Sequence, residues 1–178
     1  FQATALRSIS VQSGNMHLVS RGGVLFDYSG NTLLVFPAAR DSDYTLPEDT
    51  ICIGDYAFAF AKLKQIQFAN IQEVGNYSFA YANLESLTIP DSIMVVGKGA
   101  FKRNAHLTQL TIGKGLSEIA TGVFEGTETL KTVVIPANIT QIGENAFGYS
   151  GLECVTFSEG STLQIIGNAA FMKCHNMS

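Results

Sequence analysis

The residues best suited to chemistry in this sequence are scattered cysteines, histidines and aspartates. Cys174 stands beside His175, a pairing that can bind a metal ion or activate a thiol. No second His or Cys lies at ligand spacing, so we interpret Cys174 as a small buried residue. Cys52 and Cys154 stand alone and are interpreted as free thiols, since three cysteines this far apart do not make a disulfide framework.

A second possible site is the pair Asp41 and Asp43, whose spacing suits the start of a calcium-binding loop. Such a loop would need Gly and Glu where this sequence has Leu46 and Cys52, so a solvated loop is predicted instead. The segment Gly97-Lys98-Gly99 lacks the upstream Gly and the following Ser or Thr of a phosphate loop. The sequence therefore predicts no catalytic site, no metal site and no cofactor, and the protein is not expected to be an enzyme.

Composition narrows the possible partners. The chain has 178 residues, of which 46% are hydrophobic and 15% charged, so it can bury a core as a single domain. A net charge of −4 and scattered basic residues argue against a nucleic-acid partner. No apolar run approaches the ~18 residues that a membrane span needs.

The sequence contains a repeat, and this repeat must position any functional residues of the chain. The motif Ile/Val-Gly-x-x-Ala-Phe occurs at 53–58, 96–101 and 142–147. Its phenylalanine recurs every 21 to 24 residues, at Phe58, Phe79, Phe101, Phe124, Phe147 and Phe171. This period lies in the range of leucine-rich repeats, and the predicted fold is a mainly β solenoid.

Each repeat contains one main strand in which apolar and polar residues alternate, as expected for a strand with one buried face. The predicted main strands are 63–68, 84–89, 107–112, 130–135 and 152–157. Proline follows at Pro90 and Pro136 and is expected to end the pairing.

The rest of the repeat predicts close stacking of coils. A second apolar pair, such as Ile139 and Ile142, precedes a glycine that allows a turn which side chains would hinder. Small residues stand three positions after each phenylalanine and could satisfy backbone groups of the neighbouring coil; they are Ala61, Ala82, Asn104, Thr127, Ser150 and Cys174. The fourth coil has Ala120 and Val123 where the others have glycine and a small residue, which predicts a widened turn with the register kept.

The N-terminal quarter interrupts the repeat. The β-rich runs 23–28 and 32–36 flank a Ser-Gly-Asn turn signal, so a β-hairpin is predicted, ending at Pro37. We divide the single domain 1–178 into the end of a repeat strand (1–11), a hairpin insertion (12–46) and about five and a half repeats (47–178). The first and last residues fall inside repeats, which leads us to expect a piece of a longer protein.

These features resemble the BspA-type leucine-rich repeats, whose unit reads roughly Ile-Gly-x-x-Ala-Phe-x-x-Cys-x-x-Leu-x-x-Ile-x-Ile-Pro. The copy at 170–174 keeps the cysteine, and the interrupted coil around 21–26 also looks like the family. The resemblance implies a right-handed leucine-rich-repeat coil that is extracellular or on a cell surface. It also implies adhesion to host proteins or other cells, with no catalytic residues and no single binding motif.

The best candidate binding surface is the outward face of the main strand, which is rich in Thr and Gln and alternates in charge. Solenoids use such extended faces to bind partners, although Thr and Gln are also ordinary exposed strand residues. The predicted residues are Lys64, Gln65, Gln67, Glu85, Ser86, Thr88, Thr108, Gln109, Thr111, Lys131, Thr132, Glu153 and Thr156.

Two functions remain open at this point. The chain could be a non-enzymatic module that binds a protein or glycan through that face. It could instead be a spacer that holds another domain away from the cell, since six or seven coils at ~4.8 Å give a rod of ~30 Å. Apolar coil edges exposed at the two ends also predict end-to-end self-association.

Overall fold

A computed structural model describes residues 5–40 and 44–174. The predicted loop at Asp41 and Asp43, and His175 beside Cys174, therefore lie outside the described residues. The described part contains thirteen strands and no helix, so it holds no apolar helix long enough to cross a membrane. In chain order the strands are β1 Leu18–Arg21, β2 Val24–Asp27, β3 Thr32–Val35, β4 Cys52–Ile53, β5 Glu73–Val74, β6 Ser86–Ile89, β7 Val95–Val96, β8 Gln109–Ile112, β9 Glu118–Ile119, β10 Thr132–Ile135, β11 Gln141–Ile142, β12 Cys154–Phe157 and β13 Ile165–Ile166.

The N-terminal strands form an antiparallel meander. β2 pairs with β3 across the predicted turn, which confirms the predicted hairpin. β1 also pairs with β2, with Arg21 opposite Val24. The two residues between them, Gly22 and Gly23, both have positive φ, as a tight two-residue hairpin turn requires. This first hairpin was not predicted, although Gly-Gly between two β-rich runs is its sequence signal.

The body of the molecule is a parallel solenoid, which confirms the predicted fold class. The short strands stack in register, β3 on β4, then β5 and β7, and separately β9 on β11 and β13. The longer main strands pair as β6 with β8 and β10 with β12. β6 ends at Ile89 and β10 at Ile135, so each main strand that precedes a proline stops directly before it, as predicted.

A column of stacked phenylalanine rings fills the interior. The rings of Phe58, Phe79, Phe101, Phe124, Phe147 and Phe171 stack successively, with centroids 4.8 to 5.8 Å apart. Phe36, which follows β3, stacks on Phe58 at 4.9 Å and so extends the column into the N-terminal region. Each coil is named below by its column phenylalanine.

The prediction that corner side chains satisfy backbone groups of the neighbouring coil is confirmed for Asn104 and Cys174. Thr127 instead bonds within its own coil, and the Ser150 hydroxyl pairs with Cys174 Sγ. The Asn104 side chain is fully buried; its Oδ1 accepts a hydrogen bond from the Leu84 N–H, and its Nδ2 donates to the carbonyls of Phe79 and Phe101. Thr127 Oγ1 donates to the Phe124 carbonyl. Buried backbone groups without partners are costly, so this column stabilises the corners.

The repeated glycine is required by the close approach of coils. A Cβ added at Gly97 would lie 2.6 Å from the Asn76 nitrogen, and one added at Gly143 would lie 2.6 Å from the Thr121 nitrogen. Neither glycine has a positive φ, so the predicted hindrance is confirmed, but its cause is the backbone of the preceding coil rather than the local turn.

The junction between the Phe101 and Phe124 coils, which we call the seam, has Ala120 at this glycine position and Val123 at the position of the small residue. Within the described residues, β7 does not pair with β9, nor β8 with β10. The rings of Phe101 and Phe124 have the widest centroid separation in the described column, 5.8 Å, and a cavity of about 10 Å³ lies among side chains that include Val96 and Ile119.

The seam is open only on its strand side. On the turn side the Phe101 N–H still donates to the Val123 carbonyl at 3.0 Å, and Phe124 and Leu130 stay buried. The predicted widening with preserved register is therefore confirmed, and the interruption of both ladders is the additional finding.

One predicted main strand was wrong. Residues 63–68 form no strand or ladder. The Leu63 N–H donates to the Ala82 carbonyl, and the Lys64 carbonyl accepts from the N–H groups of Glu85 and Ser86. The Phe68 ring packs edge-on against Phe79, and Ile71 follows Phe68 after two residues, whereas three separate Ile89 from Ile93. The larger ring and the shorter turn set this segment apart from the main strands that do pair.

Candidate functional site

The predicted binding surface exists as an exposed face, which we call the main-strand face. Twelve of its thirteen predicted residues are exposed and Ser86 is half-buried. The alternation of the strands explains this, since in β10 Thr132 and Val134 point outward while Val133 and Ile135 are buried. Cys154 and Thr156 lie outward on β12 in the same way.

The main-strand face is divided into three parts. Thr88 on β6 is directly opposite Thr111 on β8, and Thr132 on β10 is opposite Cys154 on β12. The seam separates these two sheets. Lys64, Gln65 and Gln67 lie on the segment that joins neither sheet, so the structure does not bring them into the ladder with the others.

The charges on this face are paired with each other across neighbouring coils. Lys64 Nζ lies 3.1 Å from Glu85 Oε1, and Lys131 Nζ lies 2.9 Å from Glu153 Oε1. All four side chains are about half or more exposed, so each pair contributes ~0–1 kcal/mol to stability. The alternating charges thus neutralise one another within the free protein.

A second surface, which the sequence analysis missed, runs along the turns that precede and follow each column phenylalanine; we call it the turn face. Two positions in every turn have positive φ, one two residues before the phenylalanine and one two residues after it. In the first two coils aromatic residues occupy both positions, as Tyr56 and Phe60 and then Tyr77 and Tyr81. Later coils mostly have glycine or polar residues there, such as Gly99, Gly122 and Asn145.

The turn-face aromatics form two stacked pairs. The rings of Tyr56 and Tyr77 have centroids 5.3 Å apart with planes at 13°, and those of Phe60 and Tyr81 lie 4.9 Å apart at 5°. Bulky side chains at positive φ cost ~1–2 kcal/mol each, and such strain is concentrated at functional sites. The spacing of the aromatic residues does not by itself reveal this surface. The positive φ comes from the way each coil closes and is not visible in the sequence.

A cleft opens beside the first of these pairs, and we call it the aromatic cleft. It has a volume of about 580 Å³, within the range of small-ligand sites. Its lining residues are Leu34, Val35, Phe36, Asp55, Tyr56, Ala59 and Phe60. Asp55 Oδ1 accepts hydrogen bonds from the backbone N–H of Asn76 at 2.7 Å and from its Nδ2 at 3.2 Å, which fixes the carboxylate.

The three cysteines are free thiols; Cys52 and Cys174 are half-buried and Cys154 is exposed. Burial raises the pKa of the Cys52 thiol, and the charges of Glu73, Asp27 and Asp55 raise it further, so its thiolate form is disfavoured. Cys174 Sγ donates to the Phe147 carbonyl at 3.3 Å, which agrees with its predicted packing role. Among the described residues, no three His, Cys, Asp or Glu side chains are grouped to hold a metal ion.

Comparison with known proteins identifies the class of this solenoid. The family described as "BspA type Leucine rich repeat region" matches residues 36–153 in six copies. The chain therefore belongs to the BspA-type leucine-rich-repeat family, as its motif predicted. A search of curated proteins found no match.

Several bacterial leucine-rich-repeat structures share the fold. One from Eubacterium ventriosum is 20% identical with a TM-score of 0.82, covering 93% of this chain and 52% of its own. A leucine rich cell surface protein from Faecalibacterium prausnitzii is 24% identical (TM-score 0.53; 91% of this chain, 38% of its own). The pneumococcal vaccine antigen PcpA is 21% identical (TM-score 0.56; 94% and 38%). The chain thus spans about half or less of the length of these three proteins.

Proposed function

We propose that this chain is a non-enzymatic binding module of a cell-surface or secreted protein, and that it adheres to a protein or glycan through the main-strand face. Membership of the BspA-type family supports a binding role, and two of the similar structures are described as a cell surface protein and a vaccine antigen. The observation that carries the proposal is the exposed row of Thr and Gln side chains on two parallel sheets.

The chemistry of the face suits a polar partner. Thr88, Thr111 and Thr156 present hydroxyl groups that both donate and accept hydrogen bonds, and Gln109 adds an amide. The neighbouring ion pairs leave little net charge, so recognition would depend on hydrogen bonds and shape. Such a surface fits hydroxyl-rich glycans or the polar rim of a protein interface.

The test is capture of the chain by an array of purified extracellular-matrix proteins and glycans. Gln67→Ala, Lys131→Glu and Glu153→Lys are each expected to weaken capture by ~5-fold or more, because an interface residue that matters costs about 1 kcal/mol or more. Unchanged capture by all three variants would place the binding site elsewhere.

The Lys131–Glu153 pair offers a matched control. The double variant Lys131→Glu with Glu153→Lys restores the ion pair with reversed polarity. If the face binds its partner directly, the double variant stays defective. Recovery of capture in the double variant would show that the single changes acted through the integrity of the face.

The self-pairing of charge on the main-strand face also favours a second function, that of a spacer presenting another domain. A face whose ion pairs are already satisfied needs no partner. The spacer function predicts no capture on the array, together with loss of whole-protein adhesion when a flanking domain is removed.

We also infer end-to-end association of the isolated chain. The last described coil leaves Phe157, Ile165 and Ile166 between 40% and 54% exposed. A second copy covering this apolar edge would give a concentration-dependent increase in mass by light scattering. A monomer of constant mass at high concentration would contradict it.

A further inference from the structure

We propose that the aromatic cleft binds a cationic side chain, arginine or lysine, presented by a protein partner. This inference concerns the turn face and stands apart from the proposed role of the main-strand face. It rests on open ring faces, on the charge of the cleft and on an equivalent contact within this same solenoid.

Two aromatic rings expose a flat face to the cleft. Tyr77 covers one face of Tyr56 and Tyr81 covers one face of Phe60, while both covered rings line the cleft. The preceding coil supplies no turn to cover them. Two residues separate Leu33 from Phe36, whereas four separate Ile53 from Phe58 at the equivalent positions. Tyr56 accordingly remains 55% exposed.

The charge of the cleft selects the ligand. Asp55 is the one acidic residue of the lining, and the other lining residues are aliphatic or aromatic. A described cation, Arg40, lies near this lining; its guanidinium is over the Phe36 ring, 5.9 Å from the ring centroid, and not over Tyr56 or Phe60. The donors to the Asp55 carboxylate are the neutral groups of Asn76, and no ion pair compensates its charge among the described residues. Ring faces and a carboxylate both attract a cation, and an anionic ligand would be repelled.

The solenoid already places a cation on an equivalent ring. Tyr149 stands two residues after its column phenylalanine, as Phe60 does, and it has the same positive φ. Lys173 of the next coil lies over the Tyr149 ring, with its Nζ 5.0 Å from the centroid. In the Phe58 coil Tyr81 stands at the position of Lys173 and stacks on Phe60, so a cation from a partner would lie on the opposite face of Phe60, which lines the cleft.

The fold does not require rings at these positions. Gly122 and Asn145 occupy the position of Tyr56 in later coils, and Gly126 occupies that of Phe60, all with positive φ. Aromatic side chains there carry backbone strain that glycine or asparagine would avoid. The turn geometry alone therefore does not require rings at the two positions beside the cleft.

The test uses two pentapeptides, acetyl-Gly-Gly-Arg-Gly-Gly-amide and its citrulline counterpart, titrated into the full chain and followed by NMR. Citrulline has nearly the shape of arginine without its charge. The arginine peptide is expected to bind about tenfold more tightly, to shift resonances of Tyr56 and Phe60, and to weaken as salt is added. Cellobiose, a neutral sugar, serves as the competing ligand class.

The chain itself supplies the matched substitutions. Tyr56→Asn and Phe60→Gly copy Asn145 and Gly126, so they should fold while lowering affinity for the arginine peptide at least ~10-fold together. Asp55→Asn keeps an acceptor for the Asn76 N–H and removes the charge, and should weaken binding several-fold. Tyr149→Gly, an equivalent change far from the cleft, should leave the affinity unchanged.

Equal affinity for the two peptides would overturn the proposal, as would undiminished binding by the Tyr56→Asn and Phe60→Gly double variant. Binding of cellobiose instead of the arginine peptide, lost in the same double variant, would assign the cleft to glycans and also overturn it. Selective arginine binding that disappears with the rings and the Asp55 charge would establish it.

Discussion

The coils on the N-terminal side of the seam and those on its C-terminal side are built alike. Strand pairing joins neighbouring coils within each side, but among the described residues it does not join the two sides. Before the seam β4, β5 and β7 form one ladder, and after it β9, β11 and β13 form another. The seam coil differs from the others at two positions: Ala120 stands where the others have glycine, and Val123 stands where they have alanine or serine.

Two features normally continue together from coil to coil: the column of buried rings and the strand ladders. At the seam the first continues and the second stops. The phenylalanine column and the turn hydrogen bonds continue across the seam, so they need only approximate spacing. The strand ladders need the backbones in direct contact, and they break at the coil that has Ala120 in place of the repeated glycine. Register is therefore kept by the large buried rings even where ladder pairing stops.

The largest expected effect comes from removing a column ring, and it should differ between a ring away from the seam, Phe79, and a ring at the seam, Phe124. Phe79→Ala should reduce the free energy of unfolding by ~4–5 kcal/mol, because Phe79 is fully buried between closely stacked rings. Phe124→Ala should cost about 1 kcal/mol less, since its contact with Phe101 is already looser. Urea unfolding of both variants measures this, and a larger loss for Phe124→Ala would contradict the ranking.

Gly143→Ala should create a second seam. Its Cβ would meet the Thr121 nitrogen and the Ala120 carbon, and the hydrogen bond from the Gly143 N–H to the Ile119 carbonyl would be lost. We expect a loss of ~1–3 kcal/mol, the usual cost of overpacking. Faster amide exchange should be confined to β9 and β11; equal exchange in the variant and the parent would refute the role of glycine at this position.

Ala120→Gly should close the existing seam. Ladder hydrogen bonds between β7 and β9 would contribute ~1 kcal/mol each, against an entropic cost of ~0.5–1 kcal/mol for the added glycine. The free energy of unfolding should rise by about 1 kcal/mol, and amide exchange should slow at Glu118 and at position 120. If exchange at Glu118 is unchanged, the methyl group is not what holds the ladders apart.

The smallest expected effect concerns Asp27, which lies in β2 of the N-terminal meander and outside both ladders. Burial raises the pKa of the Asp27 carboxyl, but hydrogen bonds from Ser29 and from the backbone N–H groups of Thr32, Gly30 and Asn31 hold it below its ordinary value. A depressed folded-state pKa stabilises the protein above the ordinary value, and that contribution is lost as the pH falls through the folded pKa.

Asp27→Asn should therefore be less stable than the parent at neutral pH, by well under ~1 kcal/mol because the group is screened by solvent. The two proteins should converge in acid, once the pH has fallen below the lowered pKa of Asp27 and the parent carboxyl is protonated. Urea midpoints at both pH values measure the difference. A gap that persists in acid would mean that the substitution acts through something other than charge.

Much of the fold could be predicted because it follows from local pattern. The 21-to-24-residue period, the alternation in β10 and the polar corner column each reflect burial that a single repeat specifies. Local pattern was not sufficient to predict ladder pairing in the segment 63–68. Its alternation was correct and its buried residues are buried, but ladder pairing also depends on the length of the following turn and on the Phe68 ring.

The surfaces were predictable to different degrees. Exposure of the main-strand face follows from the two-residue period of a strand, so its residues could be named in advance. The turn face could not, because the positive φ of Tyr56 and Phe60 arises from how the coil closes rather than from their own preferences. The aromatic cleft exists because the Phe36 coil has a shorter turn, a difference that becomes visible only when the coils are superposed by their rings.

By itself the sequence determined the repeat, the family and the inward or outward direction of most side chains, since these depend on the spacing of apolar residues along one chain. Tertiary structure alone decided which charges neutralise each other, where the ladders break and which rings remain uncovered. The physical reason is that these properties depend on distances between neighbouring coils. The ladders break where Ala120 replaces the repeated glycine, and the rings stay uncovered where the turn before Phe36 is shorter by two residues.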